Sequence, residues 1–137
     1  MNKLEATAKG VYLIAVTPFA ENGALDLAST DRMVDFYLDC GVTGLTILGI
    51  LGEATKLTAE ESRLFVKTVL ARVAGRVPVV VGASSPGFAS MRELTESVMA
   101  MGASGVMIAP HWQWRWPLFA GGTHARRGRC HDRICLP

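Results

Sequence analysis

At 137 residues the chain is long enough for one modest domain but well short of the roughly 250 residues of a closed eight-stranded α/β barrel. Half of it is hydrophobic and 19% is charged, which excludes a disordered chain. The net charge of +2 hides a break: residues 1–110 hold nine Lys or Arg against eleven Asp or Glu, and residues 111–137 hold five Arg against one Asp.

The opening MNKLEATAKG leads into no apolar region of secretory type. The first apolar run, residues 11–16 (VYLIAV), is six residues long, too short to span a bilayer, and predicts a buried strand. A cytoplasmic protein without membrane contact is expected. Cys40, Cys130 and Cys135 form no framework of spacings for a disulfide-stapled domain, so reduced thiols are expected.

A first helix is predicted over Leu27–Asp39, with Met33, Val34, Tyr37 and Leu38 on one face and Asp31, Asp35 and Asp39 on another. Residues 45–48 (LTIL) predict a second strand. A second helix over Ala59–Val73 is announced by Thr58 and Glu61 in the T-x-x-E spacing of a capping box. A third strand follows at residues 77–81 (VPVVV). Ser90 and Glu93 repeat the capping signal ahead of a third helix bearing Leu94, Val98 and Met101, and residues 105–109 (GVMIA) predict a fourth strand. These runs are continuous rather than alternating, as parallel strands covered on both faces require.

Gly41 and Gly102 fall where a helix end wants a left-handed residue. Residues 40–48 (CGVTGLTIL) and 101–109 (MGASGVMIA) write the same helix stop, turn and strand twice, which is evidence for stacked βα units. An open doubly wound sheet and a curling barrel both fit this pattern. In a barrel, chemistry sits in the loops after the strands: Thr17-Pro18-Phe19, residues 49–54, residues 82–87, and a loop beginning at Pro110.

Four motifs in these places carry a resemblance. T-P-F after the first strand, G-x-x-G-E at residues 49–53 with L-T-x-E-E at 57–61, V-P-V-V-x-G at 77–82, and G-A-x-G-V at 102–106 with Pro110 closing the fourth strand are similar, in order and spacing, to the dihydrodipicolinate synthase and N-acetylneuraminate lyase family. The resemblance covers residues 1–110 and implies the N-terminal half of an α/β (β/α)8 TIM barrel, with four parallel strands and three helices and an irregular tail over 111–137. It implies a lyase or aldolase that forms a Schiff base between a lysine on the sixth strand and pyruvate or another 2-oxo acid, with a tyrosine after the fifth strand relaying protons. A homo-oligomeric full-length parent and no cofactor or metal are implied with it.

On this resemblance the substrate-binding candidates are Thr17, Gly49, Ile50, Leu51, Gly52 and Glu53, with the glycines letting main-chain donors approach a carboxylate. Three departures stand out. The synthases carry threonines where Ile50 and Leu51 stand, so hydroxyl relay through this loop is lost, which favours a relative acting on another 2-oxo acid. The family's tyrosine is absent, and so is its lysine, for which none of Lys3, Lys9, Lys56 or Lys67 can substitute. No catalytic residue of the family is therefore assigned, and the chain by itself is expected to be inactive. Glu53 is expected to orient the loop, and Ser84 and Ser85 to cap a helix or solvate a turn.

After Pro110 the composition changes. Trp112, Trp114 and Trp116 alternate with Gln113 and Arg115, and Arg126, Arg127, Arg129 and Arg133 follow. Such a stretch can stack on bases and neutralise phosphates, which makes a non-catalytic interaction module touching nucleic acid or another partner the alternative. His124, Cys130, His131 and Cys135 lack the paired spacing of a zinc site. The preferred reading is a non-homologous, out-of-frame or disordered tail.

Overall fold

The computed structural model describes residues 3–109. The readings made for residues 110–137, nucleic-acid contact and metal ligation included, lie outside the described residues. The element order is β1 (Tyr12–Ile14), α1 (Leu27–Asp39), β2 (Gly44–Ile47), a 3-10 turn (Ala54–Lys56), α2 (Ala59–Val73), β3 (Val79–Gly82), α3 (Phe88–Met101) and β4 (Gly105–Met107).

All strands are parallel, and their order across the sheet is their order in sequence, β1-β2-β3-β4. A doubly wound sheet reverses direction at a switch point. This one does not, so each crossover carries the chain one strand further the same way, as in a barrel wall. Adjacent helices pack on one another, α1 on α2 and α2 on α3.

The sheet has two unlike faces. Leu45, Ile47, Val79 and Val81 point toward the helices and form one core with Val34, Phe65, Val66, Val69, Val73 and Val98. In the opposite rows, Ile14, Thr46, Val80 and Gly105 stand side by side through the strand register. Thr46 and Val80 are buried there, whereas Ile14 and Met107 on the two outer strands are exposed, as is Val16 just beyond β1. That face is turned away from the helices, where the interior of a barrel wall would lie.

The helix boundaries follow from capping. The Asp26 side chain accepts from the Ser29 amide to start α1, and the Thr58–Glu61 capping box starts α2. Gly41 and Gly102 both take positive φ, at 77° and 110°, after α1 and α3. The third capping expectation is corrected. Helix α3 begins at Phe88 behind Gly87, which provides no side-chain cap, so Ser90 and Glu93 lie inside the helix and Glu93 pairs instead with Arg63 of α2. An extended Gly87 already lets its carbonyl accept from the Met91 amide, so the helix starts earlier than the side-chain pattern implies.

Strand ends also shift. Pro78 has no N–H to give a ladder, so β3 begins at Val79 and runs on to Gly82. β2 starts one residue earlier than expected and stops at Ile47, because Leu48 turns into the left-handed region at φ 54°.

Candidate functional site

The ends of β1, β2 and β3 bring three loops together at one rim of the sheet. Thr17, three residues beyond β1, is buried, and its hydroxyl donates to the Gly52 carbonyl at 2.6 Å. Beyond it the chain folds back on itself: Phe19 bridges Leu25, and the Asp26 amide donates to the Pro18 carbonyl at 3.0 Å. Hydrogen bonds from the Ser29 hydroxyl and amide hold the Asp26 carboxyl below the usual carboxylate range.

The loop after β2 is built from two overlapping turns. The Gly52 amide donates to the Gly49 carbonyl and the Glu53 amide to the Ile50 carbonyl, both at 3.1 Å. Within these turns neither the Ile50 nor the Leu51 amide donates to an acceptor among the described residues. Consecutive amides left without an internal acceptor are suited to an anion. The Ile50 side chain is 96% exposed and that of Leu51 59%, so neither is held in a core.

Both ends of the loop are strained, with Leu48 at φ 54° and Glu53 at φ 52°. A left-handed non-glycine residue costs about 1–2 kcal/mol and persists where its surroundings enforce it. The enforcement at Leu48 is visible: a Cβ on Gly82 would lie 2.1 Å from the Leu48 carbonyl oxygen, and one on Gly52 would lie 3.1 Å from the Leu48 nitrogen. Only glycine fits at Gly82. Gly49 is different, since a Cβ there would make ordinary contacts with Ile14 at 3.5 Å and Met107 at 3.8 Å. Those contacts also show that the floor beneath the loop is apolar.

The Glu53 carboxylate pairs with the Lys56 ammonium, both side chains being exposed. Ser84 accepts from the Ala109 amide at 2.8 Å and so ties the end of β3 to that of β4, while Ser85 accepts from the Gly87 amide within its own turn. Neither serine caps α3. The structure thus brings Thr17, Gly49, Ile50, Leu51, Gly52 and Glu53 to one place. It adds Gly82 and Ser84, which were read only as loop residues. A glycine closing an otherwise apolar strand was the available signal for Gly82, since it often marks a close backbone approach.

All four lysines of the sequence are described, and all are exposed: Lys3 and Lys9 before β1, Lys56 in the 3-10 turn and Lys67 on α2. A groove of about 1100 Å³ lies at the opposite end of the sheet, bordered by Lys3, Leu4, Tyr12, Arg76, Pro78 and Met101, away from these loops. Among the described residues no three His, Cys, Asp or Glu side chains cluster as metal ligands, and no helix is long and apolar enough to cross a membrane.

The sequence matches the Dihydrodipicolinate synthetase family over residues 7–118. The chain belongs to that family. The match continues eight residues past Pro110, into the stretch whose composition changes. A 4-hydroxy-tetrahydrodipicolinate synthase of Thiobacillus denitrificans is 33% identical over 108 residues, covering 78% of this chain and 36% of that protein. The crystal structure of dihydrodipicolinate synthase from Rhodopseudomonas palustris superposes with a TM-score of 0.77 and 48% identity, over 80% of this chain and 36% of that one. YagE, a prophage protein of the same family from E. coli K12 solved in complex with pyruvate, gives a TM-score of 0.72 and 31% identity, over 75% and 35% of the two chains. The chain spans about a third of the length of these family members. The (β/α)8 wall expected from the sequence is therefore the wall of a family barrel, and the chain's relatives are lyases of that family.

Proposed function

We propose that residues 3–109 form the carboxylate-holding wall of a 2-oxo-acid site, the N-terminal part of a Schiff-base lyase scaffold. The observation that carries this reading is the pair of unengaged amides at Ile50 and Leu51, in a loop at the strand rim whose Gly49 lies next to the apolar Ile14 and Met107. Two N–H groups can donate to a carboxylate without any side-chain charge. YagE, with pyruvate bound, supports a 2-oxo acid as the ligand class.

The apolar Ile50 and Leu51 leave the loop with backbone donors alone. A proton relay through hydroxyls at these positions is impossible, which favours a 2-oxo-acid substrate other than that of the lysine-pathway synthases. Imine formation needs an amine made nucleophilic by desolvation or neighbouring charge, and exposed lysines such as Lys56 and Lys67 lack the desolvation. The 137 residues therefore bind without forming the imine, and a reacting lysine and a proton-relaying tyrosine have to come from further barrel strands.

The test is a chimera in which residues 1–109 replace the matching part of the Rhodopseudomonas palustris enzyme. Pyruvate with borohydride should then leave a reduced adduct on the lysine that the remainder supplies. A chimera that folds as a barrel and takes no adduct contradicts the proposal.

A further inference from the structure

Two residues outside the loop decide its shape, one on each side. Thr17, beyond β1, donates from a buried hydroxyl to the Gly52 carbonyl, and the same Gly52 gives its amide to Gly49. Gly82, the last residue of β3, offers no side chain, so the Leu48 carbonyl lies where a Cβ would otherwise stand, 2.1 Å away. The loop is thus pinned at its exit from β2 by β3 and at its far end by Thr17, three residues beyond β1.

We propose that Thr17 and Gly82 are positioning residues that hold residues 48–53 so that the Ile50 and Leu51 amides face a bound carboxylate. The inference rests on the carboxylate reading of the loop and gives Thr17 a different task from direct substrate contact. The Thr17 hydroxyl has one proton to donate, and Gly52 takes it. Without that donor the buried Gly52 carbonyl loses its partner, and the turn that leaves the two amides unengaged is free to relax. Gly82 acts by absence, since any side chain there pushes the Leu48 peptide away and swings the loop with it.

The experiment is amide hydrogen exchange by NMR on the 137-residue chain, comparing Thr17→Val, which keeps the shape and removes the donor, with Thr17→Ser, which restores it. In Thr17→Val the amides of Gly52 and Glu53 should exchange about tenfold faster, while those of α2 and β3 keep their rates. Affinity for pyruvate, read from the Ile50 and Leu51 amide shifts, should fall about threefold to tenfold, and Thr17→Ser should recover both properties. Unchanged exchange at Gly52 and Glu53 overturns the inference. So does a uniform acceleration across every element, which would make Thr17 a contributor to global stability alone. Wild-type amides that ignore pyruvate overturn the carboxylate reading beneath it, a result the ligand-free exchange comparison keeps separate.

Discussion

The Leu48 carbonyl oxygen sits 2.1 Å from the place a Cβ on Gly82 would occupy, so the peptide leaving β2 rests on the backbone of β3 with no side chain between them. Neither partner in that contact can rotate away, because both atoms belong to main chain. Gly82→Ala is expected to lower stability by about 3 kcal/mol, the upper part of the range for overpacking. Gly49→Ala, whose Cβ meets only Ile14 and Met107 at ordinary distances, is expected to stay within about 1 kcal/mol. Urea melts of the two variants check the contrast, and equal losses would remove the special place given to Gly82.

Acid should loosen the helix ends in a defined direction. Hydrogen bonds from the Thr58 amide and hydroxyl hold the Glu61 carboxyl below its ordinary range, and the Arg72 guanidinium does the same for Asp35 across the α1–α2 contact. A carboxyl whose folded pKa is depressed contributes stability that is fully present above its unfolded value, about 4, and that is lost as pH falls through the folded value. Melting temperature is therefore expected to be level between pH 6 and 7 and to fall below about pH 4. Thr58→Ala should cost about 1 kcal/mol at neutral pH, and the pH dependence of Thr58→Ala should be shallower than that of the wild type.

Ile14, Val16 and Met107 lie exposed on the face turned away from the helices, and β1 and β4 each pair with one neighbour among the described residues. Each such side chain forgoes roughly 1.5–3 kcal/mol of burial, and open parallel edges invite pairing. The 137-residue chain is expected to be marginally stable and to self-associate. Light scattering should show lower association for Ile14→Lys with Met107→Lys, with helical content retained. Scattering that does not respond to the pair would place the sticky surface elsewhere, Phe36, Ile50, Leu51 and Phe88 being among the other large exposed apolar side chains.

The parts of this fold that a reader of the sequence can recover are those written locally. The bounds of α1 and α2 fall where Leu27–Asp39 and Ala59–Val73 were expected, because the helical spacing and the Thr58–Glu61 box are contained within a few residues of each end. The start of α3 was misplaced because Ser90 and Glu93 imitate a capping box, while the Gly87 backbone starts the helix unaided and Glu93 is drawn to Arg63, thirty residues earlier. Barrel-like strand order was not decidable from periodicity, since an open sheet writes the same continuous apolar runs; the pairing of β2 with β3, which leaves no switch point in the order β1-β2-β3-β4, decides it. The site was legible as a loop through its motifs. Its internal tether was not, because Thr17 and Gly52 are 35 residues apart and no local pattern links a strand-end hydroxyl to a distant carbonyl.

The lysines lead to a chemical prediction. Lys3, Lys9, Lys56 and Lys67 are all exposed, and Lys56 is paired with Glu53, so none is poised to condense with a ketone. Treatment of the chain with pyruvate and borohydride should leave its mass unchanged. A mass increase of reduced pyruvate mapped to any of the four would overturn the view that the amine lies elsewhere.

The most direct test of the central claim is an amide titration of the ¹⁵N-labelled chain with pyruvate. Shifts concentrated at Ile50 and Leu51, with α1 and α3 silent and acetamide without effect, are the expected result, since a carboxylate rather than a neutral amide should seek the two unengaged donors. Shifts gathered instead around Arg76 and Lys3 at the opposite end, or spread evenly over the chain, would contradict it.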